Sequence, residues 1–237
     1  MSIPSTGLSM KYKAVIFDLF GTLIPNFSEK EYRQIVMLMA TILSVPPEPF
    51  WEIWVATFKE SILGVFPDYN AKITYICSKL GVNLSQNNIL NASQVLLDYE
   101  ARSMVPRPEA AEVLSVLKLR GYKIGLISDC FSNTIVLWEN TGLKSFFEVT
   151  IFSCAVGIKK PDPRIYRMAL EKLKVKPQHC LYVGDGSSYE LTGALRVGMH
   201  PVWIRIPDER EDNFRIDEED WDGPVISSLK EVLDLLQ

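Results

Sequence analysis

Short runs of apolar residues recur along the chain and predict the strands of a sheet. Each run is four or five residues long and ends in small or polar residues, and amphipathic segments of helical length separate the later runs. Continuous apolar strands that alternate with helices are typical of a parallel sheet covered on both faces. We therefore predict an α/β fold with a doubly wound parallel sheet. The predicted strands are 14–17, 123–127, 149–152, 180–183 and 201–204, and the predicted helices between them are 108–120, 132–142, 163–174 and 190–198.

The segment 25–105 interrupts this alternation, because it contains no strand pattern. Ser28 and Glu31 form a capping-box pattern ahead of an apolar helical face. A connection between a strand and a helix is normally only a few residues long, so an all-helical block of this size indicates an inserted subdomain. Further helices are predicted near 48–63, 70–80 and 86–103.

The predicted domains are therefore a Rossmann-like core of residues 11–24 and 106–237 and a helical cap of residues 25–105. Helices inserted beside the carboxyl edge of a sheet are well placed to form a lid over it. The alternative is a helical decoration with no gating role. Residues 1–10 are expected to form a flexible leader.

The charge distribution favours a small anionic ligand over nucleic acid. The formal net charge is −4, which argues against a surface for binding nucleic acid. Residues 208–222 contain nine acids and two arginines, so this segment carries −7 and the rest of the chain +3. We expect the acidic segment to be a solvated loop. The remaining positive balance is compatible with a pocket for an anionic small-molecule substrate.

The cysteine spacing and the hydropathy of the chain predict a cytoplasmic protein with no zinc site and no membrane span. Cys77, Cys130, Cys154 and Cys180 lack close pairs, and the chain has two histidines, so a zinc site is not predicted. Reduced thiols are typical of a cytoplasmic protein. No apolar run reaches the roughly 18 residues of a membrane span, so no membrane association is expected. A monomer and a homodimer both agree with the sequence.

Reactive side chains follow four of the predicted strands, at the points where those strands end. In open α/β sheets, ligands bind at the carboxyl ends of the strands. The side chains found there are carboxylates, a hydroxyl and an ammonium, which together suit metal-assisted attack on an anionic group. The segments are Asp18-Leu19-Phe20-Gly21-Thr22, Ser128-Asp129, Lys159-Lys160-Pro161 and Gly184-Asp185 through Glu190.

These four segments, in this order and with a helical block after the first, resemble the haloacid dehalogenase (HAD) superfamily. The similarity covers about 14–206 and points to the branch with a helical cap after the first strand. It implies that Asp18 is the nucleophile and that Ser128 hydrogen-bonds a substrate oxygen. Lys160 would then neutralise the charge of the nucleophile and of the substrate. Thr22 and Asp129 are then expected among the substrate-binding residues.

The resemblance also implies a Mg²⁺ site. Asp18, Asp185 and the backbone carbonyl of Phe20 would hold the ion, with Glu190 as a further ligand or a supporting residue. Mg²⁺ prefers oxygen ligands in octahedral geometry, so water and a substrate oxygen would complete its shell.

Several of these residues also have a purely structural interpretation. Asp18 suits a turn before a glycine, Ser128 suits the cap of the next helix, and Asp185 and Glu190 suit the start of the helix after them. Lys159 is a second candidate for the ammonium. We favour Lys160 because it directly precedes Pro161, which matches the family pattern.

Phe20 departs from the pattern of most phosphatases in this superfamily. Their second aspartate, two residues after the nucleophile, acts as general acid and base, and phenylalanine cannot transfer a proton. Losing a general acid typically costs about 10²–10⁴ in rate when the leaving group is poor. The 2-haloacid dehalogenase branch has an aromatic residue at this position.

Other residues argue against a dehalogenase. Asp185 occupies a position where dehalogenases carry a hydroxyl and bind no metal. Arg33 is the only arginine in 25–101, about half the expected distance after the nucleophile. We therefore favour a Mg²⁺-dependent phosphatase of a small phosphorylated metabolite that acts through an aspartyl-phosphate intermediate. A 2-haloacid dehalogenase and a catalytically weak phospho-ligand-binding protein remain as alternatives.

Overall fold

A six-stranded parallel sheet forms the centre of the protein. The computed structural model describes residues 11–207, 212–213, 217 and 219–236. All neighbouring strands are parallel, and their order is β3-β2-β1-β4-β5-β6. This order confirms the predicted doubly wound sheet. The strands are β1 (Ala14–Phe17), β2 (Lys123–Ser128), β3 (Val149–Phe152), β4 (Cys180–Gly184), β5 (His200–Ile204) and β6 (Val225–Ile226).

Six helices lie between β1 and β2 in the chain, and we refer to the first five together as the helical insert. Its first helix begins as the capping box predicts, because the Ser28 hydroxyl accepts a hydrogen bond from the Glu31 backbone N–H at 3.1 Å. The helices are α1 (Glu29–Ile42), α2 (Pro47–Ala56), α3 (Phe58–Ile62), α4 (Tyr69–Lys79) and α5 (Gln86–Ser103).

The remaining helices are α6, which directly precedes β2, and four that follow β2, two of them between β3 and β4. They are α6 (Ala110–Leu119), α7 (Ser132–Trp138), α8 (Ser153–Val156), α9 (Pro163–Leu173) and α10 (Glu190–Arg196). Successive residues of a strand point to opposite faces of a sheet, and β1 shows this directly. Val15 and Phe17 pack in the cluster that contains α6, whereas Ala14 and Ile16 pack in the cluster that contains α9 and α10.

The helical insert has an apolar core of its own. Met39, Phe50, Trp54 and Ile73 are fully buried or nearly so within it. Phe131, which lies between β2 and α7, packs into this cluster from the sheet side. The insert therefore has an internal core and also contacts the carboxyl edge of the sheet.

The structure differs from the predicted elements in a few places. The predicted helix 48–63 is divided at Thr57, whose hydroxyl donates to the Ile53 carbonyl at 2.8 Å. Helix α7 ends at Trp138 instead of 142, where the backbone N–H groups of Asn140 and Thr141 donate to the Leu137 and Trp138 carbonyls in turns. The two-residue strand β6 was not predicted, since so short an edge strand has no periodicity to detect.

Residues 1–10 and most of the acidic segment 208–222 lie outside the described residues, so the expected leader is not tested. The expectation of a solvated loop is wrong at Glu219, which is buried and accepts a hydrogen bond from the Leu191 backbone N–H of α10 at 2.6 Å. The boundaries between core and cap also stay predictions. Among the described residues, no helix combines the length and the apolar character needed to cross a membrane.

Candidate active site

Three carboxylates meet where β1 and β4 end. The backbone N–H of Asp18, one residue past β1, donates to the Val183 carbonyl of β4 at 2.9 Å. The pairing of these two strands brings Asp18, Asp185 and Glu190 together, with one carboxylate oxygen from each within 4.8 Å of the others. All three residues are buried, and Asp18 is only 4% exposed.

Lys160 lies among these carboxylates and is 3% exposed. Its Nζ is 2.6 Å from Asp18 Oδ1 and 2.6 Å from Glu190 Oε2. Lys159 is placed differently, because its Nζ donates to the Lys160 carbonyl at 2.8 Å. Of the two lysines that the sequence offered, the structure places Lys160 beside Asp18.

The charge balance of the cluster perturbs its acids. The pKa of Asp18 is raised to about 6, mainly because the carboxyl is buried. Lys160 lowers this pKa, and the neighbouring Asp185 raises it. Burial and the nearby Asp18 raise the pKa of Glu190 well above its usual range. Burial alone would lower the pKa of Lys160, but Asp18 and Glu190 raise it well above its ordinary value. One ammonium therefore faces more negative charge than it can neutralise.

Glu190 is held by the protein on both of its carboxylate oxygens. The Tyr182 hydroxyl donates to Oε2 at 2.7 Å, and the Gly186 backbone N–H donates to Oε1 at 3.0 Å. Lys160 also binds Oε2. This arrangement leaves Glu190 better suited to fixing the position of Lys160 than to binding a ligand itself.

Asp185 is oriented by donors from two segments. Its Oδ1 accepts from the Ser187 backbone N–H at 3.0 Å, and its Oδ2 accepts from the Asn26 amide at 2.8 Å. The Ser187 hydroxyl adds a contact to Oδ2 at 3.2 Å. Asn26 lies just before the helical insert, so the insert and the acidic cluster are connected through this hydrogen bond.

Gly21 allows the loop after β1 to approach Asp185. It has a positive φ of 74°, and a methyl group added there would lie 2.6 Å from the Asp185 carboxyl carbon. Glycine is therefore required at this position both by its backbone conformation and by the space available.

A pair of alanine substitutions should separate these two requirements. Gly81 has a similar φ of 72° but no atom within 4 Å of an added methyl group. Gly81→Ala should cost about 1 kcal/mol of unfolding free energy from backbone conformation alone. Gly21→Ala should cost about 1–3 kcal/mol more, because Asp185 must move. Chemical denaturation of both variants measures the difference, and equal losses would show that the contact with Asp185 has no effect on stability.

Ser128 and Thr22 are buried beside the cluster with unused hydroxyls. Neither hydroxyl has a hydrogen-bond partner among the described residues. The interpretation of Ser128 as a helix cap is wrong, because the N-cap of α7 is Phe131. Asp129, the next residue, accepts a hydrogen bond from the Lys160 backbone N–H at 3.1 Å.

Of the two acids after β4, Glu190 does lie in the first turn of α10, as its structural interpretation expects, but neither acid is the N-cap of that helix. The N-cap of α10 is Tyr189, which makes no side-chain capping bond. Asp185 and Glu190 instead direct their carboxylates toward the cluster described above.

A cavity of about 100 Å³ opens beside the acidic cluster. Its lining includes Asp18, Asp129 and Lys160 from the sheet side, together with Phe20 and residues of the helical insert. The Phe20 ring packs against Phe27 with centroids 5.0 Å apart. The side chain of Phe20 therefore gives the cavity an apolar wall at the position where most phosphatases of the pattern have a proton-transferring carboxylate.

The sequence did not reveal every residue of this site. Tyr182 and Asn26 bind the acids directly, yet one lies within a strand and the other in an unremarkable loop. Glu100 lines the same cavity from α5. It belongs to a largely polar helical pattern, in which a single buried acid gives no distinguishing signal.

The donors of the cluster fit a divalent cation with oxygen ligands. Asp18 and Asp185 offer carboxylates close together in a buried site, where Lys160 offsets only part of their charge. Such a site is favourable for Mg²⁺, because a small hard cation relieves the repulsion between buried carboxylates.

Comparisons with known proteins agree with this architecture. A family model described as haloacid dehalogenase-like hydrolase matches residues 12–198. The chain belongs to this family of hydrolases, which confirms the resemblance seen in the four sequence segments. Its assignment to the branch with a helical cap stays a prediction.

One relative and two solved structures illustrate this similarity. A glyceraldehyde 3-phosphate phosphatase from Pyrococcus furiosus is 28% identical over 234 residues, covering 96% of this chain and 94% of that protein. The crystal structure of a HAD phosphatase from Thermococcus onnurineus is 26% identical with a TM-score of 0.62, covering 94% and 97% of the two chains. A 2-haloacid dehalogenase from Pseudomonas syringae pv. Tomato DC3000 has a TM-score of 0.70 at 23% identity, covering 95% and 98%, which shows a shared fold alone.

Proposed function

We propose that the protein is a Mg²⁺-dependent phosphatase of a small phosphorylated metabolite and acts through an aspartyl-phosphate intermediate. The observation that carries this proposal is the buried pair Asp18 and Asp185, which Lys160 only partly neutralises. The relative named as a glyceraldehyde 3-phosphate phosphatase and the structure named as a HAD phosphatase support it.

In this proposal Asp18 supplies the nucleophile. One of its carboxylate oxygens forms a bond to phosphorus while the bond from phosphorus to the ester oxygen breaks, and the alkoxide leaves. Water then hydrolyses the acyl phosphate, which restores Asp18 and releases phosphate. The anionic substrate must be neutralised for a carboxylate to attack it, and Lys160 provides one positive charge at 2.6 Å from Asp18.

Other residues bind the substrate and the metal. The unused hydroxyl of Ser128 donates to a phosphoryl oxygen, with Thr22 and Asp129 completing the same region. Asp18, Asp185 and the Phe20 carbonyl would hold Mg²⁺, and bound Mg²⁺ supplies charge neutralisation for the transferring phosphoryl group. Glu190 supports Lys160 through the contact at 2.6 Å.

Phe20 determines which esters react well. Since it cannot protonate a departing alkoxide, the proton must come from water or from the substrate. Alkyl phosphates should therefore react slowly, and aryl or acyl phosphates, whose leaving groups need little protonation, should react faster.

The helical insert is proposed to act as the cap of this site, with residues 25–105 as the cap and 11–24 and 106–237 as the core. Residues of both parts line the cavity, which supports this division. We also place the protein in the cytoplasm, because its four cysteines are free thiols.

A substrate panel with and without metal tests the function. Phosphate release from aryl and acyl phosphates should require Mg²⁺ and fall to background with EDTA, and alkyl phosphates should be slower by about 10²-fold or more. Phosphate and halide are measured in parallel on phosphate esters and 2-haloacids.

Two results would replace this proposal. Consumption of a 2-haloacid that EDTA does not inhibit would favour the dehalogenase alternative, which the aromatic side chain of Phe20 supports. Binding of phosphate esters without turnover of any of them would favour a phospho-ligand-binding protein.

A further inference from the structure

Glu100 is a buried acid that the proposed chemistry does not use. It lies near the end of α5, is 3% exposed and lines the cavity that also contains Asp18 and Lys160. The Tyr69 hydroxyl donates a hydrogen bond to Glu100 Oε1. Its second oxygen, Oε2, is buried and has no hydrogen-bond partner among the described residues.

An unpaired carboxyl oxygen in such a place is costly. Burying a polar group without a hydrogen bond costs free energy that the protein recovers only if a ligand or water pairs with it. The cavity around it has apolar walls, including Phe27, Phe58 and Ile62. Glu100 therefore stands out as a polar group that the helical insert presents to this cavity.

The protonation of Glu100 indicates which ligand group it suits. Burial raises its pKa to about 7, and the hydrogen bond from Tyr69 lowers it. Tyr32 faces the same carboxyl from α1 and itself has a pKa raised well above its usual range by burial and by Glu100. Near neutral pH the carboxyl is thus present both protonated and ionised.

An alcohol hydroxyl pairs with both of these forms. It donates to an ionised carboxylate and accepts from a protonated carboxyl group. An ammonium group would pair well only with the ionised form. A purely hydrocarbon substrate would leave Glu100 Oε2 unpaired in either form.

We propose that Glu100 Oε2 hydrogen-bonds a hydroxyl group on the organic part of the substrate, which makes Glu100 a specificity residue for phosphate esters of small hydroxylated compounds. This inference rests on the proposed phosphatase function and adds the class of substrate to it. The sheet then provides the groups for the phosphoryl end, and the helical insert recognises the remainder of the molecule.

Two substrates that differ only in hydroxyl groups provide the test. Glycerol 3-phosphate and propyl phosphate have the same carbon chain and closely similar leaving groups. The wild-type protein should prefer glycerol 3-phosphate in kcat/KM by about 10- to 100-fold, because propyl phosphate leaves the buried oxygen unpaired. Phenyl phosphate in the presence of Mg²⁺ reports the phosphatase chemistry without such a hydroxyl.

Variants at Glu100 connect this preference to the residue. Glu100→Met, with an apolar side chain of similar length, should remove most of the preference for glycerol 3-phosphate through KM and leave phenyl phosphate hydrolysis within about threefold. Glu100→Gln should retain part of the preference, since its amide can still donate to a hydroxyl. Asp98→Asn, an exposed carboxylate on the same helix, is the matched control and should change neither substrate.

The outcomes separate this proposal from the one before it. If Glu100→Met lowers kcat/KM equally for glycerol 3-phosphate and propyl phosphate, Glu100 does not select the hydroxyl and the inference is overturned. If the wild-type protein hydrolyses no phosphate ester with Mg²⁺, the phosphatase function fails and this inference with it. If Glu100→Met folds poorly because it leaves the Tyr69 hydroxyl unpaired, the double variant Tyr69→Phe/Glu100→Met removes that hydroxyl too. Its preference for glycerol 3-phosphate over propyl phosphate is then compared with that of Tyr69→Phe alone.

Discussion

Replacing Asp18 with asparagine should abolish phosphatase turnover and leave the protein folded. The amide is almost the same shape as the carboxylate but cannot form the acyl-phosphate bond on which the proposed reaction depends. We expect kcat/KM to fall by at least about 10³-fold on every substrate, as for the loss of other enzymatic nucleophiles. Phosphate release from phenyl phosphate with Mg²⁺ measures the effect. A variant that retains more than a few per cent of the wild-type rate would exclude Asp18 as nucleophile.

The same substitution should stabilise the metal-free protein. The pKa of Asp18 is raised to about 6 in the folded state, so the folded protein binds protons more tightly than the unfolded chain. Its stability therefore decreases as pH rises from about 4 to about 6, and the loss persists at neutral pH. The asparagine side chain cannot ionise, so Asp18→Asn should gain about 1–3 kcal/mol at pH 7 and almost nothing at pH 4.

Asp162→Asn provides the matched control for both measurements. Asp162 is a partly exposed carboxylate that caps α9 through the Arg164 backbone N–H at 2.9 Å. Asparagine caps helices about as well as aspartate, so this variant should keep its activity and nearly all of its stability. A gain in stability at Asp162 similar to that at Asp18 would contradict the explanation by burial.

The sheet was predictable because its strands carry an unambiguous signal. The predicted strand 14–17 matches β1 and 149–152 matches β3, and both are short apolar runs that the sheet buries. The helical insert was also predictable, because capping residues and periodic apolar faces mark its helices. Strand β6 depends on its pairing with β5, a tertiary contact that leaves no local pattern in the sequence. The division at Thr57 accompanies a local hydrogen bond from the Thr57 hydroxyl to the Ile53 carbonyl, and a threonine can make such a bond in an unbroken helix too.

The candidate site was only half predictable. Residues at strand ends can be found from the sequence, because parallel strands place their carboxyl ends along one edge, and Asp18 and Asp185 do meet there. Glu100 comes from a helix whose position over the sheet is set by packing between the insert and Phe131. Nothing in its local sequence distinguishes a buried acid in the cavity from an exposed acid such as Asp98.

Replacing Lys160 with methionine should damage both stability and activity. Lys160 is the cation that contacts the buried carboxylates of Asp18 and Glu190, each at 2.6 Å. Removing one partner of a buried ion pair leaves uncompensated charge and typically costs about 3–5 kcal/mol. We expect a loss of that size at pH 7, and a fall in kcat/KM of about 10²-fold or more, because the charge of the incoming phosphate is no longer offset. Chemical denaturation and phosphate release measure the two effects.

The pH dependence distinguishes this explanation from a simple packing defect. Without Lys160, the pKa values of Asp18 and Glu190 should rise further, because the cation that now lowers both is gone. The folded variant then takes up these protons as pH falls, so the stability deficit of Lys160→Met should shrink toward pH 4. Lys159→Met is the matched control, since the Lys159 ammonium bonds only a backbone carbonyl in the contacts described above. It should lose little stability or activity, and a deficit in Lys160→Met that does not change with pH would show that packing, and not the charge of the cluster, causes the loss.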